Sequence, residues 1–501
     1  MAKSIIIIGG GLTGLAAGCY GRMNGYQTSI FEMHNIAGGL CTGWKRKGYT
    51  IEGALHWVMG TNPETNLYKV WEELGAAQKW QVYNHDRFII IEDRNGKVFN
   101  MYSDIDRLEQ EMLKIAPEDK AAIHDFVKAM RKSTQLDMPM DPQELYGVFD
   151  YIKMVTMLPY LMFMRKWSSI SQIDYARRFK NPFLREILSS LSPEGELADC
   201  PAFIIPMVVA FQHQKNGGYI MGGSLALIDY IQQRYLNLGG ELHFKTRVEK
   251  ILVENNKAVG IRLEDGTEHR GDIIISAADG RSTIFDMLSG QYIDEKIQSN
   301  YDNPQLYPPL IYIGLGVNRQ FDDVPPSAIG LSFDLEKPVT IAGKDIKNLR
   351  ILISSFDKTM APEGKSVIKI QINSDYDYWK KLYQDPERYK AEKEQIVDTV
   401  ISLLDRRFPG LADQVEMRDI ASPITWVRYT GNWRGSYQGW MATTKNFMTQ
   451  MSKTLPGLDN FYMAGQWVNL GGGIPGAVRS GRQTIQVICD KDKKKFVTST
   501  P

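Results

Sequence analysis

Ser4-Ile5-Ile6-Ile7-Ile8-Gly9-Gly10-Gly11-Leu12-Thr13-Gly14 opens the chain and decides how the rest is read. The isoleucine run is β-branched and wholly apolar, the pattern of a short strand buried in a parallel sheet. Gly9, Gly11 and Gly14 then give G-x-G-x-x-G. Residues 15–24 read as a helix of small and apolar residues that stops near Gly25, and Thr28-Ser29-Ile30-Phe31-Glu32 as a second strand ending in an acid. Each part has a physical task. Gly9 permits the tight turn, Gly11 lets backbone approach a pyrophosphate, and Gly14 lets helix pack close to strand. The helix N-terminus offers free N–H groups and partial positive charge. Glu32, about 20 residues on, can accept hydrogen bonds from ribose hydroxyls. The glycine motif alone is weak; with its strand, helix and acid it reads as a dinucleotide-binding unit rather than a glycine-rich turn.

The remainder of the chain bounds the answer. With 501 residues it is too long for one simple core. A net charge of +1 argues against a partner bound by phosphate neutralisation, so no nucleic acid is expected. Cys19, Cys41, Cys200 and Cys489 are scattered without C-x-x-C, and the seven histidines lack ligand spacing, so no metal is expected. No basic segment leads into an apolar one at the N-terminus, and a reduced, cytoplasmic setting fits best.

Further along, Asp93-Arg94-Asn95-Gly96 marks a hairpin between strands 87–92 and 97–102. Residues 104–115 and 117–132 read as helices, the second started by Pro117 with Glu118 and Asp119. A helix over 225–238 precedes strands at 241–244 and 246–251, and strands 258–263 and 268–276 bracket Asp265-Gly266. Residues 309–317, 349–356 and 366–373 read as strands, and 386–408 as a long helix. Residues 149–167 are unusually apolar but too short for a membrane span, and Lys153 and Pro159 interrupt them. They read either as a core helix pair or as a lip that dips into a bilayer, edged by Arg165, Lys166 and Trp167.

Three further stretches carry a resemblance: Gly38-Gly39-Leu40, Gly53-Ala54-Leu55-His56-Trp57, and the C-terminal run from Ala464-Gly465-Gln466 through Gly471-Gly472-Gly473-Ile474-Pro475-Gly476-Ala477 into a helix over 478–489. Together with the opening motif these resemble the FAD-dependent amine-oxidase-like superfamily, most closely its branch of phytoene desaturases, carotenoid cis–trans isomerases and retinol saturase. The resemblance implies an α/β fold: a discontinuous Rossmann-like FAD-binding domain (1–60, 216–290, 441–490) with an inserted α+β substrate domain (291–440), an apolar helical region (61–215) and a charged, mobile tail (491–501). It implies FAD held by Gly9, Gly11, Leu12, Thr13, Gly14, Glu32, Gly39, Leu40, Val248, Ala277, Gly465, Gln466, Gly473, Pro475 and Ala477. It places Trp57, Tyr437 and Trp440 in the substrate pocket. One departure stands out: many members carry Arg where this chain has Leu40, and Lys45, Arg46 or Lys47 is the nearest substitute charge.

The function implied is oxidoreduction at carbon–carbon double bonds of a long hydrophobic polyene or isoprenoid: desaturation, saturation or isomerisation, with an unnamed electron donor or acceptor and, if the lip reading holds, peripheral membrane contact. Two alternatives stay open. An amine oxidase would use Tyr437 and Trp440 as an aromatic cage. A prenyl-binding protein of the same fold would lack flavin, against which the intact glycines and Glu32 argue. His56 is the candidate catalytic residue, as a proton donor beside the flavin; the bland alternative is a histidine hydrogen-bonded within the fold.

Overall fold

The computed structural model describes residues 2–191, 199–321, 324–325, 328–447, 449, 451–470 and 472–501; Gly471 of the C-terminal glycine run lies outside them. A five-stranded parallel sheet gathers distant pieces of chain. Its strands lie in the order Glu241–Phe244, Gln27–Glu32, Ser4–Ile8, Ile273–Ser276 and Phe461–Met463. Helices Leu12–Met23, Gly223–Asn237 and Gly473–Lys491 bury one face of this sheet and the antiparallel strands Val248–Glu254 and Lys257–Leu263 cover the other, which is why its strands read as unbroken apolar runs. The first helix, Leu12–Met23, packs on the last, Gly473–Lys491. Their crossing is backbone against backbone: a Cβ on Gly481 would lie 2.6 Å from the Thr13 carbonyl oxygen and 2.9 Å from the Ala17 nitrogen.

A second sheet has seven strands in the order Val415–Ala421, Leu310–Val317, Ser366–Asn373, Lys344–Ile353, Ala328–Ile341, Arg87–Glu92 and Val98–Tyr102. Side chains alternate across it. Ile313, Leu315, Ile351, Ile368, Ile370 and Leu331 face a core shared with Val397, Val400 and Leu404 of the helix Pro386–Arg407. The opposite face carries Tyr312, Gly314, Lys369, Gln371, Arg350 and Ser332. A third core forms between the helices Ile105–Ile115, Lys120–Ser133, Pro182–Ser190 and Ile204–His213.

Several elements differ from the sequence reading. The helix expected over 117–132 is a 3-10 turn at Pro117–Asp119 followed by Lys120–Ser133, and both Asp119 carboxylate oxygens accept from the backbone of Lys180 and Asn181 at 2.8 Å. The strand expected over 268–276 divides at Gly271-Asp272. Glu268–Arg270 stays in a hairpin, while Ile273–Ser276 enters the parallel sheet, guided by Ser4 N donating to the Asp272 carboxylate at 2.8 Å. The tail expected to be mobile is docked. Asn24 and Val497 exchange two hydrogen bonds, Arg234 donates to the Ser499 carbonyl, and the Phe496 ring lies 5.8 Å from that of Tyr20.

The apolar stretch forms two helices, Val148–Thr156 and Leu158–Ser168. Tyr160 and Trp167 turn inward, and the Phe163 ring meets Trp167 at a tilt and Phe203 edge-on. Phe149 is 86% exposed, Val155 70% and Met162 64%. Among the described residues no helix is long and apolar enough to cross a membrane.

Candidate functional site

A cavity of about 2150 Å³ lies between the two sheets. Gly9, Met33, Ala277 and Ala464 line it, and each directly follows a strand of the parallel sheet. The cavity therefore opens on the carboxyl edge of that sheet, where α/β folds bind ligands.

The dinucleotide end is built from backbone. Gly9 turns at φ +99°, hard against Ala277, and Gly14 leaves room for the Gly9 carbonyl, which a Cβ would approach to 2.0 Å. Gly10 N donates to Glu32 Oε2 at 2.6 Å and His34 N to Oε1 at 2.8 Å, so the acid ties together the ends of the first two strands. Gly38 N donates to the Gly10 carbonyl, bringing Gly38-Gly39-Leu40 across the loop. Two helices begin here, Leu12–Met23 after Gly11 and Gly473–Lys491 after Gly472, and neither has a side-chain cap. Their unpaired N–H groups and positive dipole ends meet one cavity, a fit for a pyrophosphate at one and an electron-rich ring carbonyl at the other.

Gly9, Gly11, Leu12, Thr13, Glu32, Gly39, Leu40, Val248, Ala277, Gly465, Gln466, Gly473, Pro475 and Ala477 all line the cavity. Gly14 does not; it acts from behind by letting the turn close. Lys45 and Arg46 also line it, with Arg46 3.6 Å from Asp419.

The segment 53–57 is fixed by Glu52, whose carboxylate accepts from the backbone of Ala54, Leu55 and Ser224 at 2.6–2.8 Å. It presents His56 and Trp57 to the cavity. His56 Nε2 is buried without a hydrogen-bond partner. Burial, then the cations Lys369 and Arg350, push its pKa well below the ordinary histidine value. That shift disfavours the imidazolium form of His56, so a proton-donor role would rest on a proton taken up during the reaction. Tyr437 lines the cavity, its ring 5.4 Å from Tyr307. Trp440 does not. It is 4% exposed within a cluster with Tyr301, Trp433 and Trp467, and its indole N–H donates to the Trp467 carbonyl, so packing takes the side chain assigned to the pocket.

Sequence reasoning missed four charged or polar groups. Lys369 is 2% exposed on the cavity-facing side of the second sheet, and burial pushes its amine down to about 8, opposed by the Glu52 carboxylate. Gln371, one pleat on, lines the cavity. The period-2 run Ser366-Val367-Ile368-Lys369-Ile370-Gln371-Ile372-Asn373 carried that signal. Asp279 follows Ala277-Ala278, and burial pushes it up to about 6 although Ser282 N and Trp433 N each donate to it at 2.8 Å. Arg479 lines the cavity from the last helix, and nothing in the sequence marked it.

Residues 12–489 match the flavin containing amine oxidoreductase family. The chain belongs to that family. Its cofactor is FAD, in accord with the two uncapped helix ends and the Glu32-braced loop, and the protein is an FAD-dependent oxidoreductase. A prolycopene isomerase from Daucus carota, described as chloroplastic, is 26% identical over 95% of this chain and 78% of its own length. A neurosporene-forming phytoene desaturase from Rhodobacter capsulatus is 24% identical over 97% of this chain and 94% of its own. Among solved structures, an oxidoreductase from Methanosarcina mazei superposes with a TM-score of 0.61 at 17% identity, covering 96% of this chain and 100% of that one. A putrescine oxidase solved with putrescine superposes at 0.59 and 11% identity, covering 98% and 99%. These structures establish the shared fold alone.

Proposed function

We propose that this flavoenzyme acts on carbon–carbon double bonds of a long apolar polyene or isoprenoid. The observation that carries the reading is the reach of the cavity. From the flavin end it runs into the helical lobe, where Met101, Phe183, Ile187, Phe203, Met207 and Phe211 line it. That lining exceeds what a small amine needs, and large apolar surface is what a hydrocarbon chain can exploit. The prolycopene isomerase and phytoene desaturase relatives support the same class. The amine reading loses support for its cage, because Trp440 is buried and does not line the cavity that Tyr437 lines.

Bound FAD supplies hydride acceptance or release. The chain supplies position and exclusion of water. Glu52 fixes the turn that presents His56 and Trp57, and Tyr437 lines the same cavity. With His56 neutral and Lys369 cationic below about pH 8, the wall near the second sheet carries positive charge at neutral pH.

The test is anaerobic incubation of oxidised and pre-reduced enzyme with a panel of polyenes and amines, products being resolved by chromatography. Conversion of a polyene, in whichever redox state, supports the proposal. Amine turnover with no polyene product overturns it, and a colourless protein that binds prenyl chains would favour the non-catalytic alternative.

The outward face of the helices Val148–Thr156 and Leu158–Ser168 is proposed as a lip for lipid surfaces. Its support is the exposure of Phe149, Val155 and Met162 beside the cationic Arg165 and Lys166. Tyr146, two residues before the first of these helices, lines the cavity, so the lip would stand at an entrance. Phe149→Ser with Val155→Ser should lower pelleting with anionic liposomes and leave flavin content unchanged. Equal pelleting would remove the lip.

A further inference from the structure

Arg479 is a cation without an anion. It lines the cavity, its Nε is buried with no hydrogen-bond partner, and the guanidinium makes no hydrogen bond or ion pair with any described residue. Burial lowers its pKa from the usual arginine range, a sign of lost hydration that no protein carboxylate restores. A guanidinium held this way is costly unless a ligand completes it.

The helix itself shows which ligand it is not. A residue advances about 100° around an α-helix, so Arg479 stands about 200° from Gly481. Gly481 is the contact with Thr13 and Ala17, on the side of the pyrophosphate loop. Arg482 and Gln483 share the face of Arg479 and both donate to the Met140 carbonyl at 3.3 Å. Arg479 therefore points at residues 138–146, where Tyr146 is its charge neighbour, and away from the cofactor's phosphates. The surroundings also limit the charge of the ligand. Lys453 is held by Glu144 at 2.7 Å, and Arg482 lies 3.5 Å from both Glu73 and Asp141. One unpaired guanidinium at this end of the cavity suits a single monoanion, and its planar fork matches a carboxylate.

We propose that Arg479 receives a carboxylate carried at one end of the apolar substrate, so that the enzyme's substrate is a polyene or isoprenoid acid rather than a plain hydrocarbon. This rests on the proposed action on long apolar chains and narrows it. Met138 and Pro139 line the cavity nearby, leaving apolar wall for the chain beyond its acidic end.

The experiment titrates holoenzyme with a conjugated polyene carboxylic acid such as retinoic acid, its methyl ester and its alcohol, following perturbation of the flavin absorbance. Wild type should bind the acid at least about tenfold more tightly than the ester, the scale of one charge-assisted hydrogen bond. Arg479→Gln should erase that preference while leaving ester affinity and flavin content unchanged. Arg479→Lys should keep part of it, and serves if the glutamine variant fails to fold. Equal binding of acid and ester by wild type, or a preference that survives Arg479→Gln, overturns the assignment and leaves the polyene reading standing. If no member of the series binds, both fall.

Discussion

Gly11→Ala and Gly14→Ala, three residues apart in one loop, should fail in opposite ways. A Cβ on Gly14 would lie 2.0 Å from the Gly9 carbonyl oxygen and 3.2 Å from its carbon. Both are backbone atoms and cannot rotate aside. The turn they belong to is already pressed on Ala277, which a Cβ on Gly9 would meet at 3.2 Å. The clash must therefore move the strand end or the helix start, at the cost of core overpacking, about 1–3 kcal/mol. A Cβ on Gly11 would meet the Gly38 oxygen at 3.7 Å and Gly39 Cα at 3.9 Å, ordinary contacts, and its backbone at φ −71°, ψ 179° is open to alanine. Without cofactor the Gly11 variant should stay within about 0.5 kcal/mol of wild type. In the dinucleotide motif the pyrophosphate approaches the backbone at this glycine, so the added methyl group would crowd a bound cofactor there. Losing one charge-assisted hydrogen bond is worth about 1.5–3 kcal/mol, roughly a tenfold to hundredfold rise in flavin Kd. Urea melts of apoprotein and fluorescence titration with FAD separate the two. A Gly11 variant with wild-type flavin affinity, or one as unstable as the Gly14 variant when apo, would refute this account of the loop.

Other residues give equally direct outcomes. Glu32→Ala leaves the N–H groups of Gly10 and His34 without their acceptor, so flavin affinity should fall by about 1–3 kcal/mol and apoprotein stability should fall with it; unchanged flavin occupancy would take Glu32 out of the ribose site. His56→Gln should keep its flavin and stay within about tenfold of wild-type turnover, because burial disfavours the imidazolium that a general acid would need; a loss of roughly a hundredfold would support the acid role. Asp279 titrates near 6 when folded against 3.8 ordinarily, so the unfolded chain gives up that proton first. As pH rises from about 4 to 6, wild type should lose up to about 3 kcal/mol of stability relative to Asp279→Asn, with no further change above. Parallel urea melts across that range check it, and a flat difference would show that the carboxyl is not held protonated.

The dinucleotide half of the fold was legible because its signals are local. Strand, glycine spacing, helix and acid follow one another between Ser4 and Glu32, so each constrains the next. The last helix shows where local reading slips. It starts at Gly473, five residues before the expected 478, because Pro475 and the glycines read as loop. Proline in the first turn has no hydrogen bond to lose, so the helix begins through it. The strand Ala328–Ile341 was not read at all. Its partner Lys344–Ile353 joins it through Ala342 and Gly343, both at positive φ, and the pairing loses register between Asp334 and Val339. Glu336, Lys337 and Pro338 sit in that gap and break the alternation that marks a strand.

The site divides along the same line. The backbone groups of Gly9, Gly11, Ala277 and Gly465 lie within three residues of the strand ends that place them, so their positions follow from the motif. The substrate end is set by which face of a sheet or helix meets which neighbour, and periodicity alone leaves that open. Alternation puts Lys369 and Gln371 on one face whether that face meets solvent or a cavity; only the second sheet's place beside the flavin domain decides. Trp440 is the converse, an aromatic residue that belonged to the pocket by resemblance and to a tryptophan cluster by packing. Arg479 combines both difficulties. Arg482, one turn on, has Glu73 and Asp141 at 3.5 Å, and in sequence the two arginines look alike. Residues 138–146 crossing the helix separate them, supplying an acid to one and only Tyr146 as a charge neighbour to the other. The proposed acid-binding end of the cavity therefore depends on where residues 138–146 fold back onto the last helix, although Arg479 itself stands only three residues beyond Gly476.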